Sequence, residues 1–309
     1  MIIKPNQTSG ARRYSVLLAG VPGIGKSTLA LSGPSTLAVM TDPGGWDRIP
    51  AHCRRAERIE PKDYDEVLTD LVPVNLGQFE TIAIDTGGSF LNLMKPWVIR
   101  QNPKNCQKDG KTLSMQGYGA IANEFARMVV YIREELRKHF VITFHVKEET
   151  DNDTNVYRLD MDGKSRNEIW KPMDLGGFME TNGNKRTICF SPSDRFYAKG
   201  THGIEGVIEL PNVMTGAPND FLSTLFSKIA ANVAQEAELG EKYNALMIGI
   251  RNMIDEVKDA STANEALALI EKTEHVFGSK AEAKYMLNVR IKALGLLYSK
   301  ERGFEVPKP

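Results

Sequence analysis

The stretch Ser15-Val16-Leu17-Leu18-Ala19-Gly20-Val21-Pro22-Gly23-Ile24-Gly25-Lys26-Ser27-Thr28 decides the reading of this chain. An apolar run of strand length feeds a glycine-rich turn that matches G-x-x-x-x-G-K-[ST] from Gly20 to Ser27, and a helical pattern follows to Leu31. Glycines at 20, 23 and 25 let the backbone curl so that consecutive N–H groups face one anion, reinforced by the N-terminus of the helix. Lys26 is expected to reach the β- and γ-phosphates of a nucleoside triphosphate, Ser27 to ligate magnesium and Thr28 to touch the α-phosphate. A chain of this length matches the bare pattern by chance on the order of 1% of the time, and the flanking strand and helix lower that further.

Such a loop needs an acidic residue at the end of a neighbouring strand to hold the hydration shell of the magnesium. Thr81-Ile82-Ala83-Ile84-Asp85-Thr86 supplies one, so Asp85 is the candidate metal residue, with a helix N-cap as its structural alternative. The expected cofactors are ATP and Mg2+. No Asn-Lys-x-Asp guanine motif occurs, which disfavours a GTPase.

Working outward, short apolar runs alternate with helical patterns from Tyr14 to about Val146, the signature of a largely parallel α/β sheet. Strands are predicted at Ser15 to Ala19, Thr36 to Met40, Thr81 to Ile84 and Val141 to Phe144. Ile121, Phe125, Met128, Val129, Ile132 and Leu136 recur at helical spacing and predict one amphipathic helix from Gly119 to His139. After His145, Val156 to Leu159, Gly177 to Thr181 and Arg186 to Phe190 predict an antiparallel extension, the last two joined across Asn182, Gly183 and Asn184. A helix from Asn219 to about Val233 closes this core. Three further helical stripes follow, the third running through Leu287, Ile291, Leu294 and Leu297 behind a capping box of Ser279 and Glu282. The domains expected are an N-terminal arm over 1–13, an ATP-binding core over 14–233 and a helical region over 234–309.

Composition bounds the partners. Of 309 residues, 41% are hydrophobic and 25% charged, and 39 basic residues balance 39 acidic ones, so no global field draws the chain to nucleic acid or an anionic membrane. Three separated cysteines argue against a disulfide framework or zinc knuckle, and no apolar run approaches the length of a membrane span. A cytosolic protein without a membrane partner is expected.

The residues then resemble a known group, the RecA-like ATPases of bacteriophages, including the single-strand-annealing proteins of that type. The resemblance rests on the phosphate loop, Asp42-Pro43-Gly44-Gly45, Ile84-Asp85-Thr86, Gln116-Gly117-Tyr118-Gly119, Thr143-Phe144-His145 and Phe196-Tyr197-Ala198-Lys199-Gly200 before Ile208-Glu209-Leu210, over roughly residues 14 to 230. It implies an α/β fold with a RecA-like P-loop NTPase core, a mostly parallel sheet, an antiparallel extension and a small C-terminal helical annex. It implies that His145 senses the γ-phosphate and that Lys199 reaches the nucleotide of a neighbouring subunit, so that the chain self-associates with nucleotide at the interface. Such enzymes usually carry a glutamate after the second strand to polarise the attacking water. Here Asp42 is the nearest carboxylate, which implies slow hydrolysis or a base from elsewhere.

Two long polar stretches are candidate single-stranded DNA contacts. Gln101 to Gln116 carries Lys104, Lys108 and Lys111 against Asp109; Lys147 to Lys171 offers Tyr157 and Trp170 for base stacking but has more carboxylates than cations. The C-terminal stripes are expected to form their own core, with a protein partner as the alternative. The leading expectation is a phage-type RecA-like ATPase in DNA recombination or replication. The alternatives are a nucleotide-regulated assembly or partner-binding protein that hardly hydrolyses, and a P-loop kinase acting on a small molecule.

Overall fold

The computed structural model describes residues 12–151, 154–161, 166–183, 185–299 and 303–306. Most of the expected N-terminal arm (Met1 to Ala11), the loop residues Asp153, Asp162 and Lys164, and Asn184 of the expected turn lie outside the described residues. Two compact units divide the chain, one ending at Ala230 and the other beginning at Ala231.

The first unit holds a sheet of β1 (Ser15–Gly20), β2 (Thr36–Met40), β3 (Glu57–Ile59), β4 (Thr81–Asp85), β5 (His139–Asp151), β6 (Thr154–Leu159), β7 (Leu175–Asn182), β8 (Lys185–Cys189) and β9 (Val207–Glu209), in the order β3-β2-β4-β5-β1-β7-β8-β9, with β6 paired to β5. Strands β1 to β5 and β7 are mutually parallel. Strands β1, β2 and β4 are buried along their whole length, as a parallel sheet covered on both faces requires. Leu17, Val39, Ile82, Ile84, Phe140 and Ile142 pack in one large core with side chains of α2 (Tyr64–Asp70), α3 (Gly87–Gln101) and α4 (Met115–Val130). The phosphate-loop helix α1 (Lys26–Ala30) is short.

Several elements differ from the sequence reading. Ser114 caps α4 by accepting from the Gly117 N–H, so the helix begins before Gly119; it widens into a π turn over Tyr131–Glu135, and His139 already belongs to β5. The Gly177 to Thr181 strand lies in β7 and runs parallel to β1, while the antiparallel pairs are β5 with β6, β7 with β8 and β8 with β9. The polar stretch Lys147 to Lys171 is largely ordered: β5 continues past the sheet to pair with β6 as a hairpin, and α5 (Arg166–Trp170) follows.

The expected closing helix and the first C-terminal stripe are one 35-residue helix, α6 (Phe221–Asp255), within which the boundary between the two units falls. In the second unit α7 (Ala260–Lys272) and α8 (Ser279–Ala293) bury Ala263, Ala266, Ile270, Ala283, Leu287 and Ile291 in a core of their own with Ile250 and Ile254. The capping box stands at Asp259 and Thr262 of α7 rather than at Ser279, whose hydroxyl instead accepts from the Val276 N–H and lies 2.9 Å from His275 Nδ1. Leu297 starts a small hairpin, β10 (Leu297–Ser299) with β11 (Gly303–Glu305), that the helical stripe concealed.

Candidate nucleotide site

Strand register assembles the site. β5 lies between β1 and β4, with His145 level with Gly20, while Asp85 ends β4 level with Met40 of β2. Parallel strands end on one edge of a sheet, and at that edge a cavity of about 300 Å³ is lined by Gly23, Gly25, Lys26, Ser27, Thr28, Asp42, Arg48 and His145. Gly23 and Gly25 have φ of 81° and 97°, the left-handed region that L side chains avoid. Gly20 is required for space instead: a Cβ there would lie 3.0 Å from the Met179 carbonyl oxygen.

The Lys26 ammonium is turned inward. It donates to the carbonyls of Gly20 (2.9 Å) and Val21 (2.8 Å) and lies 3.2 Å from His145 Nδ1. Burial pushes its pKa down to about 8, against the opposing pull of Asp85. An ammonium only donates, so Nδ1 of His145 accepts and the ring proton belongs on Nε2. Burial, then the Lys26 charge, hold the imidazole below its ordinary pKa, which keeps it neutral. A neutral ring with Nε2–H can donate one hydrogen bond to an anionic oxygen.

Asp85 is buried just beneath the cavity and accepts from the Thr143 hydroxyl, while the next residue, Thr86, lines the cavity and caps α3. The structural alternative for Asp85, a helix N-cap, is thus taken by Thr86. Ser27 and Asp85 offer a hydroxyl and a carboxylate, hard oxygen donors suited to magnesium. Among the described residues no group of three or more His, Cys, Asp or Glu side chains could hold a metal. The donor set therefore fits a cation held jointly by this pair, phosphate oxygens and water.

Asp42 reaches the cavity wall, but its carboxylate accepts from the guanidinium of Arg48. Arg48 was not foreseen; a single arginine six residues on carries no sequence signal. Lys199 is not at the cavity. It pairs with Gly176, which is level with Leu17 and so lies toward the start of β1, and its ammonium donates to the Met173 carbonyl. Within one chain the structure separates it from the phosphate loop. A second cavity of about 250 Å³, with Ser89, Asn92, Lys95, Tyr118 and Asp160 in its walls, shares Thr86 and His145 with the first.

The DNA candidates divide. Lys104, Lys108 and Lys111 are all exposed, on a segment pinned by the Cys106–Leu113 bridge and by Asp109 accepting from the Lys111 and Thr112 N–H groups. Trp170 is buried and Tyr157 is half-buried, so neither stands out as an open stacking platform. Tyr157 packs 5.4 Å from the ring of Phe178, and Trp170 is buried against Tyr197.

Residues 12–202 match the sequence profile of the AAA domain. The chain belongs to this family. Every candidate residue named above lies inside the AAA domain, whereas α6, α7 and α8 follow it. Among solved structures, the crystal structure of the RadB recombinase is similar, with 12% identity and a TM-score of 0.37, over 64% of this chain and 87% of that chain. No curated protein matches the sequence significantly. No helix among the described residues is long and apolar enough to cross a membrane.

Proposed function

We propose that this AAA-domain protein binds ATP with magnesium and hydrolyses it as a RecA-like ATPase of the phage type, acting on single-stranded DNA in recombination or replication. The observation that carries the reading is the convergence of Lys26, Ser27, Asp85 and His145 at the ends of three parallel strands. Bound magnesium would neutralise phosphate charge, held through Ser27 and Asp85. Lys26 leaves the carbonyls of Gly20 and Val21 for the β- and γ-phosphates, and the freed His145 donates from Nε2 to a γ-phosphate oxygen. Asp42 accepts the proton of the attacking water once its pairing with Arg48 loosens. The lysines at 104, 108 and 111 supply the electrostatic part of DNA binding, and Lys199 acts on the nucleotide of a neighbouring subunit after leaving Met173.

The Asp42–Arg48 ion pair favours a second reading, in which ATP drives assembly or partner binding with little turnover. ATP binding and hydrolysis measured with and without single-stranded DNA separate the two. DNA-stimulated turnover supports the ATPase, and tight binding without turnover supports the assembly protein. Lys26→Ala that binds ATP like wild type would refute both.

A further inference from the structure

The geometry points to Arg186 as a nucleotide-binding residue supplied by the same chain, which lays its guanidinium across the phosphate loop from β8. This inference rests on the reading of the loop as a nucleotide site. Thr181 of β7 pairs with Arg186 of β8, while Met179 of β7 is level with Gly20 of β1, so β8 runs just outside the strand that flanks the loop. The side chain crosses that strand and comes so close to Gly25 that a Cβ on Gly25 would fall 2.4 Å from Arg186 Nη1.

Gly25 lines the phosphate cavity, so the cation stands beside the loop whose glycines curl the backbone around an anion. Glycine at 25 is required for its left-handed φ, and the space a Cβ would take is filled by the end of the Arg186 side chain. Among the described residues the guanidinium has no carboxylate partner; its hydrogen bond is from Nη2 to the Pro211 carbonyl at 3.3 Å. Two arms of a planar, permanently charged fork stay available for phosphate oxygens. On its other side Arg186 lines a groove of about 870 Å³ with Thr181, Asn212, Asp220 and Phe221, large enough for the nucleoside end of the ligand.

Arg186 therefore complements Lys26 from the opposite flank, and because it belongs to the same chain its contribution does not depend on assembly. The test measures binding of ATP and of inorganic tripolyphosphate to wild type, Arg186→Ala, Arg186→Gln and Lys26→Ala at several protein concentrations, with folding followed by thermal melting. Loss of a charge-assisted hydrogen bond weakens binding about ten- to a hundredfold. That loss is expected for ATP and tripolyphosphate alike, at every protein concentration. Arg186→Gln, which keeps much of the side-chain length without the charge, decides the matter if the alanine variant does not fold. Wild-type affinity in a folded Arg186 variant, or a loss confined to ATP and absent for tripolyphosphate, overturns the inference while Lys26→Ala still binds poorly. Unimpaired binding by Lys26→Ala overturns instead the reading of the loop on which it rests.

Discussion

At the scale of single residues, two buried titrating groups make opposite demands on pH. Lys26 is held at a pKa of about 8 by burial, and phosphate binds its charged form. The charged fraction is nearly complete at pH 7 and falls about tenfold by pH 9, so nucleotide affinity should be flat below pH 8 and weaken about tenfold at pH 9. Titration calorimetry with ADP in the presence of a chelator measures this without a metal; constant affinity from pH 7 to 9 would contradict it. His139 is buried, stacked 4.0 Å from the ring of Phe226, and accepts from the Tyr14 N–H, and burial lowers its pKa to about 3. A depressed histidine stays neutral in the folded chain while the unfolded chain takes up a proton below about pH 6.5. The native state therefore loses stability as pH falls from about 6 to 3, by about 1.4 kcal/mol per pH unit from this group alone. Denaturant melts of His139→Asn should be less stable at pH 7 and flatter across that range.

At the scale of elements, the contact of α3 with β5 holds the site together. Gly87, in the first turn of α3 and two residues after Asp85, lies so close to the Phe144 ring that a Cβ would come within 2.3 Å of it, and Phe144 immediately precedes His145. Gly87→Ala must displace a fully buried ring in a close-packed core, which costs about 1–3 kcal/mol. Urea denaturation should report that loss, and turnover should fall further than stability explains because Phe144 and α3 carry His145 and Asp85. A wild-type melting midpoint would show that the ring moves freely. Elements were legible where periodicity was strong, as along α4, although its ends were not, and a small hairpin such as β10–β11 was hidden because it left no repeating apolar pattern.

At the scale of the whole molecule, Lys199 decides between a self-contained ATPase and one that needs a neighbour. Its ammonium is bound to Met173 at the far end of β7, so any role at a nucleotide requires another subunit. Lys199→Ala is expected to bind ATP normally and to lose hydrolysis, and mixing it with Lys26→Ala should restore some activity through interfaces that pair an intact loop with an intact lysine. Turnover equal to wild type at every protein concentration would leave Lys199 a structural residue that ties the start of β7.

The phosphate loop, Asp85 at a strand end and the alternation of strands with helices were determined by the sequence alone, because each depends on residues adjacent in the chain: glycines for left-handed turns, an apolar run for a buried strand, a lysine at fixed spacing. The tertiary structure alone decided the rest. It placed β5 between β1 and β4, which brings His145 to Lys26; it ran β7 parallel to β1; it paired Asp42 with Arg48; and it carried Arg186 onto Gly25. It also buried Trp170 and packed the half-buried Tyr157 against Phe178. These outcomes depend on which strands become neighbours and in what register, and that is fixed by burying both faces of the sheet at once, a condition that no local stretch of sequence carries.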